Sequence, residues 1–294
     1  MQVSQDNLVQ HLHALVGERH PYTSPQRLQR AQEYLVAAFA SSGLDVTLDE
    51  FSYIADPFVN VIARPKPARH QPRVIVGAHV DTVPGTPGAD DNASGLAVML
   101  EAARVLSARA PEAPVEFVGF NLEELSMVGS HHYATKLKRE RVRLLGMLSL
   151  EMVGFTESKG EQQYPFFLKR RYPPVGNFIG LAANRHSTDL LRIVEQAMRT
   201  VPGLPVETLV VPANGWVFPE ARLSDHSPFW DRGYPALLVT DTAFFRNPHY
   251  HQPTDTLETM DVQFLEKVCQ GVVAAVLALT ASSLAAIARS ESAS

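Results

Sequence analysis

Apolar positions along this chain alternate between two rhythms. Residues 74–80 and 115–120 are short, nearly unbroken apolar runs, the pattern of strands covered on both faces. Residues 46–48, 59–63, 144–152, 177–183, 206–211 and 235–240 read as further strands. Between them the period lengthens to that of helices. Behind Ser24-Pro25, a cap followed by proline at the first helical position, Leu28, Ala31, Leu35, Ala38 and Phe39 share one face until Gly43. Residues 94–107 repeat the pattern with Leu96, Met99, Leu100, Ala103 and Leu106, and 130–137, 188–199 and 225–231 read as shorter helices. An Ala-rich helix is expected over 260–287, with 288–294 as a frayed tail. The turn at 64–72 and the polar, aromatic, proline-bearing stretch 154–174 interrupt the alternation, the latter as a lid-like loop. The order predicts an α/β fold with a helix-flanked, mostly parallel central sheet, and a single domain over 1–294.

Composition narrows the function. A net charge of −5 with scattered Lys and Arg argues against a nucleic-acid partner. The single Cys269 excludes an intrachain disulfide framework and a multi-cysteine zinc site, so any metal must use His, Asp and Glu. The N-terminus lacks a basic region and an apolar signal core, and the apolar run 272–279 is too short to span a bilayer. The expectation is a cytoplasmic protein with no membrane partner; oligomeric state is not legible.

In such folds sites gather beyond the carboxyl ends of the strands. His79, Asn121–Glu124, Glu151 and Asp241 each fall at or just past such an end. Downstream of His79 lies Gly88-Ala89-Asp90-Asp91-Asn92-Ala93-Ser94-Gly95, where adjacent carboxylates call for a cation or strong hydrogen bonds. Asp81, two residues from His79, is placed to hydrogen-bond one imidazole nitrogen while the other binds metal. In Glu123-Glu124 one carboxylate suits a ligand and the other a general base, against the alternative of an acidic helix start. Glu151 interrupts an apolar strand and needs a metal or an ionic partner. His249 and His251 flank Tyr250, a candidate oxyanion donor, and spacing does not choose between the two histidines. Ser224-Asp225-His226-Ser227 lacks the glycine-flanked elbow of a serine hydrolase. His131 and His132 read as surface or packing residues, and Cys269 as buried rather than reactive.

These motifs, in this order from residue 79 to 256, resemble the co-catalytic di-zinc aminopeptidases, relatives of glutamate carboxypeptidase II and the transferrin-receptor ectodomain. The resemblance implies a three-layer zinc-exopeptidase fold, a peptide substrate, and hydrolysis of the N-terminal residue through a zinc-activated water. It implies two Zn2+ ions, with His79 and Glu151 on one, Glu124 and His251 on the other and Asp90 bridging. Glu123 would then be the general base and acid, Tyr250 the oxyanion donor, and a cis peptide would follow Asp90. Asp225 and Asp241 are candidates for holding the substrate amine. Phe166, Phe167, Trp216 and Phe218 are candidate pocket walls. Two departures stand out: Glu151 where many members carry Asp, and Ser126 in place of the usual glycine after the Glu-Glu segment. Rival readings on the same fold are a glutaminyl-cyclase-like acyltransferase, a carboxypeptidase using Arg170, Arg171 or Arg185, and a receptor-like scaffold.

Overall fold

A computed structural model describes residues 2–66, 72–158, 162–165 and 168–291, with side chains up to residue 281. Eight strands form one sheet: β1 Asp45–Tyr53, β2 Asp56–Arg64, β3 Arg73–His79, β4 Val115–Phe120, β5 Leu144–Glu151, β6 Ile179–Asn184, β7 Val206–Val211 and β8 Ala236–Thr240. Their order is β1-β2-β4-β3-β5-β8-β6-β7. The central neighbours β4, β3, β5 and β8 run parallel, whereas β2 against β4 and β6 against β8 are antiparallel. All eight predicted strands are present, and the sheet is mixed at its flanks.

Helices cover both faces, giving three layers. On one side lie α1 Gln5–Leu15, α2 Pro25–Ser41, α3 Gly95–Arg109, α5 Thr188–Met198 and α7 Val262–Glu291, sharing one large apolar core. On the other, α4 Val128–Arg139 and α6 His226–Asp231 pack Tyr133, Leu137, Phe229 and Trp230 against β4 and β5. Helix α1 escaped the sequence reading because only Leu8, Leu12 and Leu15 are buried along it and most of its other positions are polar. The Ser24 side chain does not cap α2; its backbone carbonyl accepts from Arg27 and Leu28.

Helix α7 corrects two expectations. Its backbone stays helical through residue 291, so most of the anticipated frayed tail is helix. Over Val262–Ala281 it has mean hydropathy 1.6, long and apolar enough to cross a membrane by composition, yet 61% of the most apolar stretch is buried inside the protein. That burial is against α3 and α5. Part of the 64–72 turn, and Phe166 and Phe167 of the predicted pocket wall, lie outside the described residues.

Candidate metal centre

The parallel register sets the site. His79 ends β3, Glu151 ends β5, Glu123 and Glu124 follow β4 by a short turn, and Asp241 follows β8. Because β4, β3, β5 and β8 are adjacent and parallel, all four positions emerge at one edge. The fifth contributor is the 89–94 turn between β3 and α3. It leaves Gly88 at φ +65°, where a Cβ would lie 2.5 Å from the Asp91 carbonyl. It enters α3 at Gly95, where a Cβ would lie 2.7 Å from the Leu150 carbonyl. The two glycines of the run are therefore required by a close approach of the turn to itself and to β5.

Two clusters share one carboxylate. His79 Nε2 lies 3.1 Å from Asp91 Oδ1 and 3.3 Å from Glu151 Oε1. His251 Nε2 lies 3.2 Å from Asp91 Oδ2 and 3.2 Å from Glu124 Oε2. Within each trio the ligand-type atoms are all within 4.8 Å of one another, and His79, Glu123 and Glu124 form a third, overlapping trio. The shared residue is Asp91, not the expected Asp90, and the cis peptide is Asp91-Asn92 rather than Asp90-Asp91. Asp90 faces the other way. It accepts from Gly154 N at 3.0 Å and Asn247 Nδ2 at 2.7 Å. Of two successive acids at this turn, one side chain is spent on the scaffold and only the other reaches both imidazoles.

Supporting groups fix these side chains. His79 Nδ1 donates to the Asp81 carbonyl at 3.1 Å, which turns Nε2 toward Asp91 and Glu151; against burial, these two acids hold the imidazole well above its usual value, so without an ion Nε2 donates to them. Asp81 thus acts on His79 through its backbone; its carboxylate accepts the amides of Glu123 at 3.0 Å and Glu124 at 3.1 Å. Asp255 does the same for the turn, taking the amides of Asp90 at 2.9 Å and Asp91 at 3.1 Å. Ser224 donates to Glu151 Oε2 at 2.8 Å, so Glu151 has a serine and an imidazole for partners and no Arg. Arg19 is buried nearby, its guanidinium spent on the carbonyls of Leu15, Gly17, Val80, Pro87 and Gly88. His226 hydrogen-bonds the Ala221 carbonyl and packs edge-on to Trp230, away from any pairing with Ser224. The supporting roles of Asp255, Ser224, Arg19 and Asn247 were not read from the sequence; only a three-dimensional register brings them here.

Electrostatics match this crowding. Burial drives the Glu123 carboxyl well above the usual range, with Glu151, Glu124 and Asp225 adding to the rise against the pull of His79. Glu124 is pushed up to about 7, first by burial and then by Asp91. His251 is raised to about 10, where its hydrogen bonds and charge attraction to Asp91 and Glu124 outweigh burial. Glu124 Oε1 is buried with no hydrogen-bond partner. A set of acids this close, with one oxygen unmet, has the chemistry of a cation site.

Both clusters open into a cavity of about 320 Å³. Asp91, Glu123, Glu124, Glu151, Tyr250 and His251 form one end. Tyr250 stacks on His251 with ring centroids 3.8 Å apart. Phe218 lines the cavity as expected, whereas Trp216 is 66% exposed with Arg222 over its ring and lies outside it. Asp225 and Asp241, proposed from sequence as amine-binding groups, are fully buried and do not reach the cavity. Asp241 is spent on the amides of Phe155 and Ala243. Arg170, Arg171 and Arg185 do not line the cavity either. His132 stacks on Phe51 and Cys269 is buried in α7, as expected of packing residues.

Two adjoining imidazole–carboxylate clusters at the carboxyl edge of an α/β sheet, sharing an aspartate and opening to one cavity, offer the donor types that hold metal ions. Residues 60–276 match Peptidase family M28, and the chain belongs to that family. It is 34% identical over 287 residues to the uncharacterized protein YfbL of Escherichia coli strain K12, covering 92% of this chain and 87% of that one. It is 30% identical over 219 residues to aminopeptidase YwaD of Bacillus subtilis strain 168, covering 73% of this chain but only 43% of that relative. Among solved structures, the Legionella pneumophila LapA aminopeptidase superposes with a TM-score of 0.74 at 18% identity, covering 95% of this chain and 70% of that one. A Porphyromonas gingivalis glutaminyl cyclase superposes at 0.70 and 21% identity, covering 93% and 98%. These two likenesses establish the fold. Family membership and the aminopeptidase relatives make this protein a peptide hydrolase.

Proposed function

We propose that this peptidase is an aminopeptidase, releasing the N-terminal residue of peptides at a site that holds two zinc ions. Imidazole nitrogen and carboxylate oxygen are zinc donors, and the two trios offer them in the right number. His79 and Glu151 would hold one ion, Glu124 and His251 the other, and Asp91 would serve both through its two oxygens. When bound, the pair supplies Lewis acidity and lowers the pKa of water from about 15.7 to near 7.

The chain's own residues do the rest. Glu123 lies in the cavity wall beside His79 and Glu124 but is not in a trio with His251 or Glu151. Its carboxyl, raised by burial among other acids, is suited to take a proton from the attacking water and return it to the leaving amine. The amides of Glu123 and Glu124, both bound to Asp81, hold base and ligand at a fixed offset. The Tyr250 ring, stacked on His251 at the cavity wall, brings its phenol within the same cavity as a donor to the developing oxyanion.

The observation that carries the aminopeptidase reading is the charge of the cavity. Among the described residues no Lys or Arg lines it, and at the metal-centre end Glu123 stands beside Asp91, Glu124 and Glu151, the acids that would hold the ions. Such a lining accommodates a free α-ammonium and repels a C-terminal carboxylate. The test is a zinc count on the purified protein combined with aminoacyl-anilide, N-acetylated, C-terminally free and N-terminal Gln peptides. Two zincs per chain, cleavage of the free-amine substrates and none of their acetylated forms are expected. Release of C-terminal residues, or cyclisation of the Gln peptide without hydrolysis, would overturn the reading.

A further inference from the structure

The far end of the cavity has a chemistry of its own. Its floor is the face of the β8-β6-β7 flank. Strand register aligns Glu151 with Thr240, Thr240 with Gly180, and Gly180 with Glu207. These four residues form one row across four strands, on the same face of the sheet. Three inter-strand spacings separate Glu151 from Glu207, about 14 Å. Gly180 leaves the middle of the row without a side chain, bordered by Thr240 and Thr242, and the one cavity reaches from the metal-centre end to Glu207.

Glu207 is partly buried on the edge strand and, among the described residues, has no hydrogen-bond or ion-pair partner. The charge of Arg199 acts on Glu207 without forming an ion pair with it. The Arg199 guanidinium is spent on Glu195 at 3.0 Å and on the Val206 carbonyl at 2.6 Å. Two aromatic rings stand beside Glu207. Tyr164 and Tyr172 stack at 5.8 Å, and their hydroxyls are committed to the carbonyls of Pro173 and Thr208. Tyr172 bonds the carbonyl of Thr208, the residue next to Glu207, and Tyr164, Tyr172 and Glu207 all line the cavity. A second acid, Glu220, also lines the cavity.

An open apolar floor, stacked aromatic walls and an unpaired carboxylate at the end are complementary to one kind of side chain. Its stem must be long and apolar and its tip cationic. We infer that the cavity selects Lys or Arg as the N-terminal residue of the substrate, with Glu207 as the specificity-determining carboxylate. The inference rests on the aminopeptidase reading. It adds a substrate class to it: peptides that begin with a basic residue. Leucine fills the floor near Thr240 and Gly180 but leaves Glu207 unmet. Norleucine has the stem of lysine without its charge and separates length from charge.

The experiment compares kcat/KM of the zinc-loaded enzyme on Lys, Arg, norleucine, Leu and Glu aminoacyl-anilides, for the native chain and Glu207→Gln. The native enzyme should favour Lys over norleucine by about ten- to hundredfold, the worth of one charge-assisted contact. Glu207→Gln should erase that ratio, mainly through KM, and leave norleucine and Leu within about twofold. Unchanged norleucine turnover also shows that the variant is folded. Charge reversal in Glu207→Lys should depress Lys and Arg further and spare Leu. Equal native rates on Lys and norleucine, or a parallel loss on both in Glu207→Gln, would overturn the specificity and leave the aminopeptidase reading standing. Failure to cleave any aminoacyl-anilide would overturn both.

Discussion

The two halves of the metal centre are built from different material. On one side His79 and Glu151 are the last residues of adjacent parallel strands, with side chains 0% and 10% exposed, and Glu151 is braced by Ser224. On the other, His251 lies on a loop at φ 57°, its side chain 33% exposed, braced by stacking on Tyr250. Its partner Glu124 has one oxygen unmet. Sheet backbone defines the first half; loop geometry and a neighbouring ring define the second. The difference teaches that a site symmetric in donor count need not be symmetric in stiffness. The buried half should hold its ion more firmly, and the loop half should exchange it more readily.

The largest effect falls between the halves. Glu123→Gln should lower kcat by about a hundred- to ten-thousandfold while elemental analysis still finds both zincs. Native-like turnover would remove Glu123 from the proton-transfer role. Next, Asp91→Ala should empty both halves, because each imidazole faces one of its oxygens, whereas Asp90→Ala should keep zinc and lose stability instead. Equal zinc loss in the two variants would contradict the split between these neighbours. A chelator titration of the native protein should withdraw one ion well before the other, and His251→Ala should abolish only the early phase. Ser224→Ala should then weaken the late phase by roughly ten- to a hundredfold, the cost typical of losing a group that orients a ligand.

The smallest effect is a pH dependence of the metal-free protein. Asp225 is buried beside the stiff half; the nearby Ser130 hydroxyl donates to the Met127 carbonyl, and neither Asp225 oxygen has a hydrogen-bond partner. Burial, opposed by His79, raises its carboxyl to about 7. A carboxyl pKa raised in the fold means the native state holds the proton more tightly. The stability it contributes is present in acid and lost as pH climbs from about 4 through about 7. Asp225→Asn should therefore stabilise the metal-free protein at pH 8 relative to pH 5, by roughly 1–3 kcal/mol in chemical denaturation. A gain of equal size at both pH values would mean that Asp225 is not the titrating group.

The strand order of events was legible because strands announce themselves by apolar runs, and the rule that sites gather at their carboxyl ends selected His79, Glu123, Glu124 and Glu151 without any structure. The choice between Asp90 and Asp91 was not legible. Both sit in one turn one residue apart, and which side chain turns toward the imidazoles depends on Gly154, Asn247 and Asp255, residues up to 165 positions away. The same limit applied to Asp225 and Asp241. Their positions after β8 and at the start of α6 placed them near the site, but only packing shows that both are enclosed behind it rather than facing the cavity. Tyr164 and Tyr172 were hidden for another reason: a polar loop gives no period from which to read an orientation.

Asp255 closes the picture from the side of mechanics. Its two oxygens receive successive amides of the turn that carries Asp91, and it stands four residues beyond His251. If the loop drifted from the turn, two buried amides would lose their acceptor, at about 1–3 kcal/mol each. Loop and turn consequently travel as one piece. The gap between His251 and Asp91 is a preset gauge, kept by the turn's amides bonded to the Asp255 carboxylate.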